Sequence, residues 1–295
     1  MLNLPASRAP LSGAGPARVR RRDAWALAAI FGALAVFASA CGGGTSPTDA
    51  TPGRTPALSG TVTVFAASSL TDAFKEEASA FETAHAGMRV SFNFAGSPTL
   101  VAQLDQGARA DVLATADEQN MHAALADGAV ADAGRTLAHN VLVIIVPKSN
   151  PGGIGSPLDL GKPGLKVVLA QEGVPAGTYA RQSLAKFDGS DGYPADFDAR
   201  VLKNLVSNEP NVKAVVAKVQ LGEADAGIAY ATDVTSGVAR DVRTIAIPDA
   251  YNVVASYPIA LTPDASNAAA ARAFIDFVLS AQGQAILRKY GFRVR

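Results

Sequence analysis

The sequence predicts an α/β fold. Strand-like and helix-like stretches alternate from residue 61 onward, the run NVLVIIVP (140–147) is continuously apolar, and several strand ends break into Gly, Ser or Pro before a helix begins. A continuous apolar run belongs to a strand inside a sheet covered on both faces, so largely parallel sheets are expected. Some 235 residues from residue 61 to the end are many for one sheet, and two lobes are expected.

Before that body, Arg18, Arg20, Arg21 and Arg22 precede an apolar run at 24–40, the pattern of a signal peptide spanning residues 1–40. The run is also about as long as a short membrane span, so an uncleaved anchor is the alternative. Cys41, the only cysteine, follows Ala38-Ser39-Ala40 and precedes three glycines. The arrangement resembles a bacterial lipobox, in which the cysteine is acylated, although Ala38 stands where leucine is usual. Arg21-Arg22 is also compatible with twin-arginine export. Each alternative places the body outside the cytoplasm. Residues 41–60, rich in Gly, Ser, Thr and Pro, are expected to form a flexible tether.

The whole chain is neutral, with 26 basic and 26 acidic residues, but residues 1–40 hold five arginines and one acid. Without them the body carries 21 basic and 25 acidic residues, a net charge of −4. A mildly acidic body argues against a nucleic-acid partner.

Within the body, 61–65 is a predicted strand and 70–81 a helix with Leu70, Phe74, Ala78 and Phe81 on one face. A strand at 89–94 and a helix at 99–106 follow, then a strand at 111–114 and a helix at 118–127. After 140–147 come a strand at 165–170, helices at 177–187 and 211–221, and strands at 227–230 and 242–247. One or two closing helices are expected over 268–290.

Four strand-to-helix junctions share a chemistry. Ser69 stands at a predicted N-cap with Asp72 three residues on, as in a capping box. In FAGSPT, Ser97 is placed to cap a helix whose first position is Pro98. Val174-Pro175-Ala176-Gly177 and Glu209-Pro210-Asn211-Val212 open two more helices. Each junction offers free N–H groups at the positive end of a helix dipole, which suits an anion. A single N-cap serine usually only caps; four such starts in an exported α/β chain carry more weight. Fixed neutral donors in a dry cleft hold an oxyanion without a counter-ion, and a donors-only site favours a fully deprotonated dianion.

Catalytic alternatives are weaker. His85, His122 and His139 are expected on helix ends or polar faces, without metal-ligand spacing. No G-x-S-x-G elbow surrounds Ser68 or Ser69, and there is no P-loop. Asp111 and Asp225 are expected to bond the starts of short strands. Tyr230 ends a strand, either facing the cleft or half-buried in the core, and Tyr179 and Tyr290 are expected to pack on helix faces.

VTVFAASSLTDAF, FAGSPTLVAQLDQGARADVLATAD, VPAGTYARQSL, EPNVKAVVAKVQLGEADAGIAYATDV and FIDFVLSAQGQAILRKYGF together resemble the bacterial periplasmic molybdate-binding proteins. These are solute-binding components of ABC importers with the two-lobed type II periplasmic binding fold. The resemblance runs from Thr61 to about Phe292, in order. It implies a non-enzymatic receptor without a cofactor, whose ligand is molybdate or tungstate and whose partner is a membrane permease. It also implies a monomer, lipid-anchored if Cys41 is acylated. The oxyanion ligands implied are Ser69 and Ser97 through hydroxyl and N–H, the N–H groups of Ala176 and Val212, and the hydroxyl of Tyr230. The same five residues are the metal site if molybdate is counted as metal, while Ser68 only shapes its turn. Gly96 and Pro98 stand where many relatives carry further serines, and Thr178 replaces a larger apolar residue. Lobe 1 is expected at 61–139 plus 251–295 and lobe 2 at 140–250, with crossovers near 138–141 and 247–256. Alternatives are a receptor for sulfate or another oxyanion, a receptor for a small organic anion, a serine hydrolase using Ser68 or Ser69, and a structural surface lipoprotein.

Overall fold

The computed structural model describes residues 58–294. The expected signal peptide, Cys41 and the tether up to residue 57 lie outside the described residues.

Strands β1 (Gly60–Ala67), β2 (Met88–Ala95) and β3 (Val112–Ala114) alternate with helices α1 (Thr71–Ala84), α2 (Ser97–Asp105) and α3 (Glu118–Ala126). A long strand, β4 (Arg135–Pro147), leads to β5 (Val167–Ala170), α4 (Pro175–Phe187) and α5 (Phe197–Lys203). Then come β6 (Leu205–Glu209), α6 (Val212–Gln220), β7 (Ala226–Tyr230) and β8 (Val242–Ala246). The chain closes with β9 (Val254–Leu261), α7 (Ala268–Leu279) and α8 (Ala281–Lys289). Strand order is β2-β1-β3-β9-β4-β7-β5-β6, with β8 also paired to β4.

The parallel expectation holds for β2-β1-β3 and for β6-β5-β7, each built from strand–helix–strand units. It fails in the middle, where β9 is antiparallel to β3 and β4, and β4 is antiparallel to β7 and β8. The sheet is therefore mixed. The physical reason is that β4 carries the chain out of the first lobe and β9 brings it back, so the two run in opposite directions. Three elements lay outside the predicted set: α5, β6 and β9. In addition, β4 begins at Arg135 instead of residue 140, which places His139 in a strand and not at a helix end. There His139 Nδ1 lies 3.2 Å from Ser256 Oγ.

The alternation of β1 explains the two covered faces. Val62, Val64 and Ala66 join the cluster of Phe74, Phe81 and Phe274, whereas Phe65 joins Leu100, Leu113 and Met121 on the other side. Phe274 meets the edges of Phe74 and Phe81 at ring separations of 6.1 and 5.4 Å.

One strand serves both lobes. Residues 135–141 of β4 pair with β9, and residues 142–147 pair with β7 and β8. At the changeover Asn252 replaces a missing strand neighbour. Its Oδ1 accepts from Leu142 N at 3.0 Å, and its Nδ2 donates to Leu142 O at 2.9 Å, as a backbone amide would. Loop-to-strand bonds hold elsewhere as expected: Asp111 Oδ2 accepts from Thr63 N at 2.7 Å, and Asp225 Oδ2 from Lys166 N at 2.8 Å.

Glu77 on α1 is fully buried and neither carboxyl oxygen has a partner. Burial first, and the charge of Glu76 second, push its pKa up from 4.5 to about 9. The folded state thus holds a proton that the unfolded chain releases, and stability falls as pH rises from about 4.5 to about 9. The slope is on the order of 1 kcal/mol per pH unit. Glu77→Gln, which is neutral throughout, should lack this slope. Thermal melts at about pH 5 and about pH 8 should show the variant gaining on the parent only at the higher pH.

Candidate functional site

Five residues picked from the sequence line one small cavity. Ser69, Ser97, Ala176, Val212 and Tyr230 share it with Ala67, Ser68, Ala95, Gly96, Ala116, Val174 and Pro175. All five are buried, with exposures of 4%, 1%, 2%, 3% and 1%. The space open to an atom centre is only ≈ 10 Å³. That is the scale of one small ion or water, not of an organic molecule.

The elements explain the convergence. β1 and β2 run parallel in one half of the molecule and β5 and β6 run parallel in the other; each passes into a helical turn at its carboxyl end, and those ends meet at the cavity. This is the carboxyl-end crevice where open α/β sheets place ligands. Ala176 and Val212 fall in the first turns of α4 and α6, where N–H groups have no intrahelical acceptor. Gly177 is required behind Ala176, because a Cβ there would lie 2.2 Å from Gln171 O. Thr178 Oγ1 accepts from Gly173 N at 3.2 Å and ties the preceding turn to the helix.

The two serines hold different positions from those the capping pattern predicts. Ser69 lies inside a short 3₁₀ turn (Ser68–Leu70), and α1 starts behind Leu70 with no side-chain cap. Asp72 makes no capping box; it pairs with Lys213 instead. Ser97 is the first residue of α2, with Gly96 as N-cap. Freed from capping, both hydroxyls have other partners. Ser69 Oγ is 3.0 Å from Tyr257 Oη, and Ser97 Oγ accepts from Ala116 N at 3.1 Å. Tyr230 Oη is buried with no partner at all. Burial, the largest influence, raises its pKa well above 10, so it remains a protonated donor.

No Lys or Arg lines the cavity. The neighbouring cation, Lys213, is engaged: its Nζ lies 2.8 Å from Asp72 Oδ2 and 3.5 Å from Asp233 Oδ1. Desolvation lowers its pKa, but Asp233 and Asp72 outweigh this and raise it. Asp233 is pushed up to about 6 by burial, with Lys213 opposing. Since Asp72 belongs to α1 and Lys213 to α6, this ion pair joins two helices 141 residues apart in sequence. Among the described residues no cluster of His, Cys, Asp or Glu could hold a metal ion. Likewise, no helix is long and apolar enough to cross a membrane.

Sequence reasoning missed Tyr257, Asn140 and Ala116, which touch or support the serines. Their signal is spatial: Tyr257 sits on the unpredicted β9, 188 residues from its serine partner. Of the tyrosines expected to pack on helix faces, Tyr290 donates to Glu76 Oε2 at 2.8 Å, and Tyr179 is partly buried against the core.

A family profile described as bacterial extracellular solute-binding protein matches residues 62–293. The molybdate-binding protein ModA of Mycobacterium tuberculosis is 38% identical over 253 residues, 86% of this chain and 91% of that protein. Among solved structures, the periplasmic molybdate-binding protein of Azotobacter vinelandii superposes with a TM-score of 0.68 at 18% identity, covering 79% of this chain and 99% of that one. The sulfate-binding protein SubI of Mycobacterium tuberculosis superposes with a TM-score of 0.69 at 20% identity, covering 79% and 86%. At these identities the structural likeness is one of fold.

Gly96 tests whether the cavity depends on contact between the lobes. Its backbone (φ −65°, ψ 142°) suits any residue, yet a Cβ there would lie 2.5 Å from Pro210 O across the cavity. Gly96→Ala should therefore prop the lobes apart, weakening tetrahedral oxyanion binding at least about tenfold, as overpacking costs of 1–3 kcal/mol imply. The melting temperature without ligand should change little. Calorimetry and a thermal melt check both.

Proposed function

Because the chain belongs to the bacterial extracellular solute-binding protein family, with 62–293 matched, we propose that its cavity captures molybdate and that the protein hands it to an ABC importer. The protein is an extracytoplasmic receptor and not an enzyme. The observation that carries the reading is the convergence of Ser69, Ser97, Ala176, Val212 and Tyr230 on one buried cavity of ionic size. The similarity to a molybdate-binding protein at 38% identity supports the choice of ion.

In this reading Ser69 and Ser97 bind through hydroxyl and N–H, Ala176 and Val212 through N–H, and Tyr230 through its hydroxyl. Dipoles of α2, α4 and α6 add positive potential at the same point. Fixed neutral donors in low dielectric replace the ion's hydration shell without a counter-ion. Tungstate, a tetrahedral dianion of similar size, should bind alike. The lobes are 61–139 plus 251–295 and 140–250, and the ligand favours the closed form through contacts made only there. The protein works as a monomer, tethered at the membrane through acylated Cys41, and delivers to a membrane permease.

Sulfate is the second reading, because it is also a tetrahedral dianion and the lining carries neutral donors without Lys or Arg to tell the two apart by charge. Calorimetry with molybdate, tungstate, sulfate and phosphate separates the two. Molybdate and tungstate should bind tightest; tighter sulfate would overturn the molybdate assignment. Ser69→Ala combined with Ser97→Ala should weaken molybdate at least about a hundredfold, since hydrogen bonds to charged groups contribute about 1.5–3 kcal/mol each. Unchanged affinity would leave the serines as structural groups only. Mass spectrometry of the mature N-terminus tests acylation of Cys41.

A further inference from the structure

We infer that Asn140 and Tyr257 are positioning residues that force the Ser69 hydroxyl to donate into the cavity, which removes Ser69 as an acceptor for an oxyanion that carries a proton. The inference rests on the oxyanion reading above and deepens it.

The direction of each hydrogen bond follows from chemistry. Asn140 Oδ1 accepts from Val141 N at 2.9 Å, and a backbone N–H can only donate. That fixes the orientation of the amide. Its Nδ2 then faces Thr232 Oγ1 at 2.7 Å and Tyr257 Oη at 3.2 Å, and donates to both. Of the two hydrogen-bond partners of Tyr257 Oη, Asn140 Nδ2 can only donate, so the phenol proton goes to the other, Ser69 Oγ at 3.0 Å. Ser69 Oγ therefore accepts from Tyr257, and its proton is left to point into the cavity that Ser69 lines. All the members are buried: Asn140 1%, Tyr257 0%, Ser69 4% and Thr232 5% exposed. Water does not compete for these bonds.

A hydroxyl is normally both donor and acceptor. The relay removes that ambiguity at Ser69, as the Ala116 N–H does at Ser97. Ser69 and Ser97 are thereby left with only their protons to offer, and they become the fixed donors of the lining. A fully deprotonated dianion satisfies every one. An anion with its own O–H finds no acceptor at Ser69 or Ser97, and a proton facing either is left buried and unpaired, which is costly.

The test is calorimetry on the full chain and on Tyr257→Phe, Ser69→Ala, Ser97→Ala and the two double variants containing Tyr257→Phe. The probes are molybdate, sulfate and inorganic phosphate in mildly alkaline buffer, where phosphate is a dianion still carrying one proton. Tyr257→Phe frees Ser69 to accept. Molybdate should weaken about fivefold, a typical single hydrogen-bond effect, while phosphate holds or gains, so the ratio narrows. Once Ser69→Ala is present, Tyr257→Phe should cost nothing further, whereas its loss should add to that of Ser97→Ala. Additive losses with Ser69→Ala, or equal losses for molybdate and phosphate, overturn the relay and leave the molybdate reading standing. If the parent prefers sulfate, the molybdate assignment falls and the same cycle is read with sulfate. A parent that binds no oxyanion overturns both.

Discussion

Buried hydrogen-bond donors must find acceptors, and the centre of this molecule holds donors with none. Helix starts and hydroxyl groups meet at one cavity with a buried lining, and the unpartnered Tyr230 hydroxyl is part of that lining. The rest of the fold keeps that convergence in place. Two sets of parallel strands bring helix N-termini to the cavity from opposite directions, Gly177 lets α4 begin against the end of β5, and Gly96 lets α2 start against Pro210 O. An acceptor among the lining side chains would satisfy the donors internally and remove the need for a ligand.

Much of this was legible in the sequence, because local chemistry decided it. Helix starts announce themselves through Pro at the first turn and through Asn211, whose side chain does accept from Ala214 N at 3.1 Å. The continuous apolar run at 140–147 became the strand that both lobes share. What stayed hidden was set by partners far away in sequence. β9 contains Pro258, and an interior proline argues against a central strand. The structure accommodates it opposite a register irregularity in β4 between Thr136 and Ala138. β6 is short, lies at the end of the strand order and exposes Val206, so no apolar alternation marks it. The capping roles of Ser69 and Ser97 were misread for a related reason. A cap pattern shows that a hydroxyl is near free N–H groups, but Tyr257 and Ala116 decide which way it turns.

Charge is organised around the site without entering it. The body is acidic, yet Lys213, next to Val212, is held between Asp72 and Asp233. Such a pair contributes little to folding by itself, since both Lys213 and Asp72 are partly exposed. Its value lies in geometry, because it joins α1 to α6 beside the cavity. The lining is neutral, and the charged groups beside it are paired with one another.

The close approach of Gly96 to Pro210 O has a kinetic consequence. On the proposed reading this contact narrows the way out of the cavity, so an ion held there would leave faster once the lobes part. Residence time would then depend on the lifetime of the shut form, and so on contacts such as this one as much as on the proposed donors. A permease that pries the lobes apart would control when cargo leaves without competing for a single one of those donors.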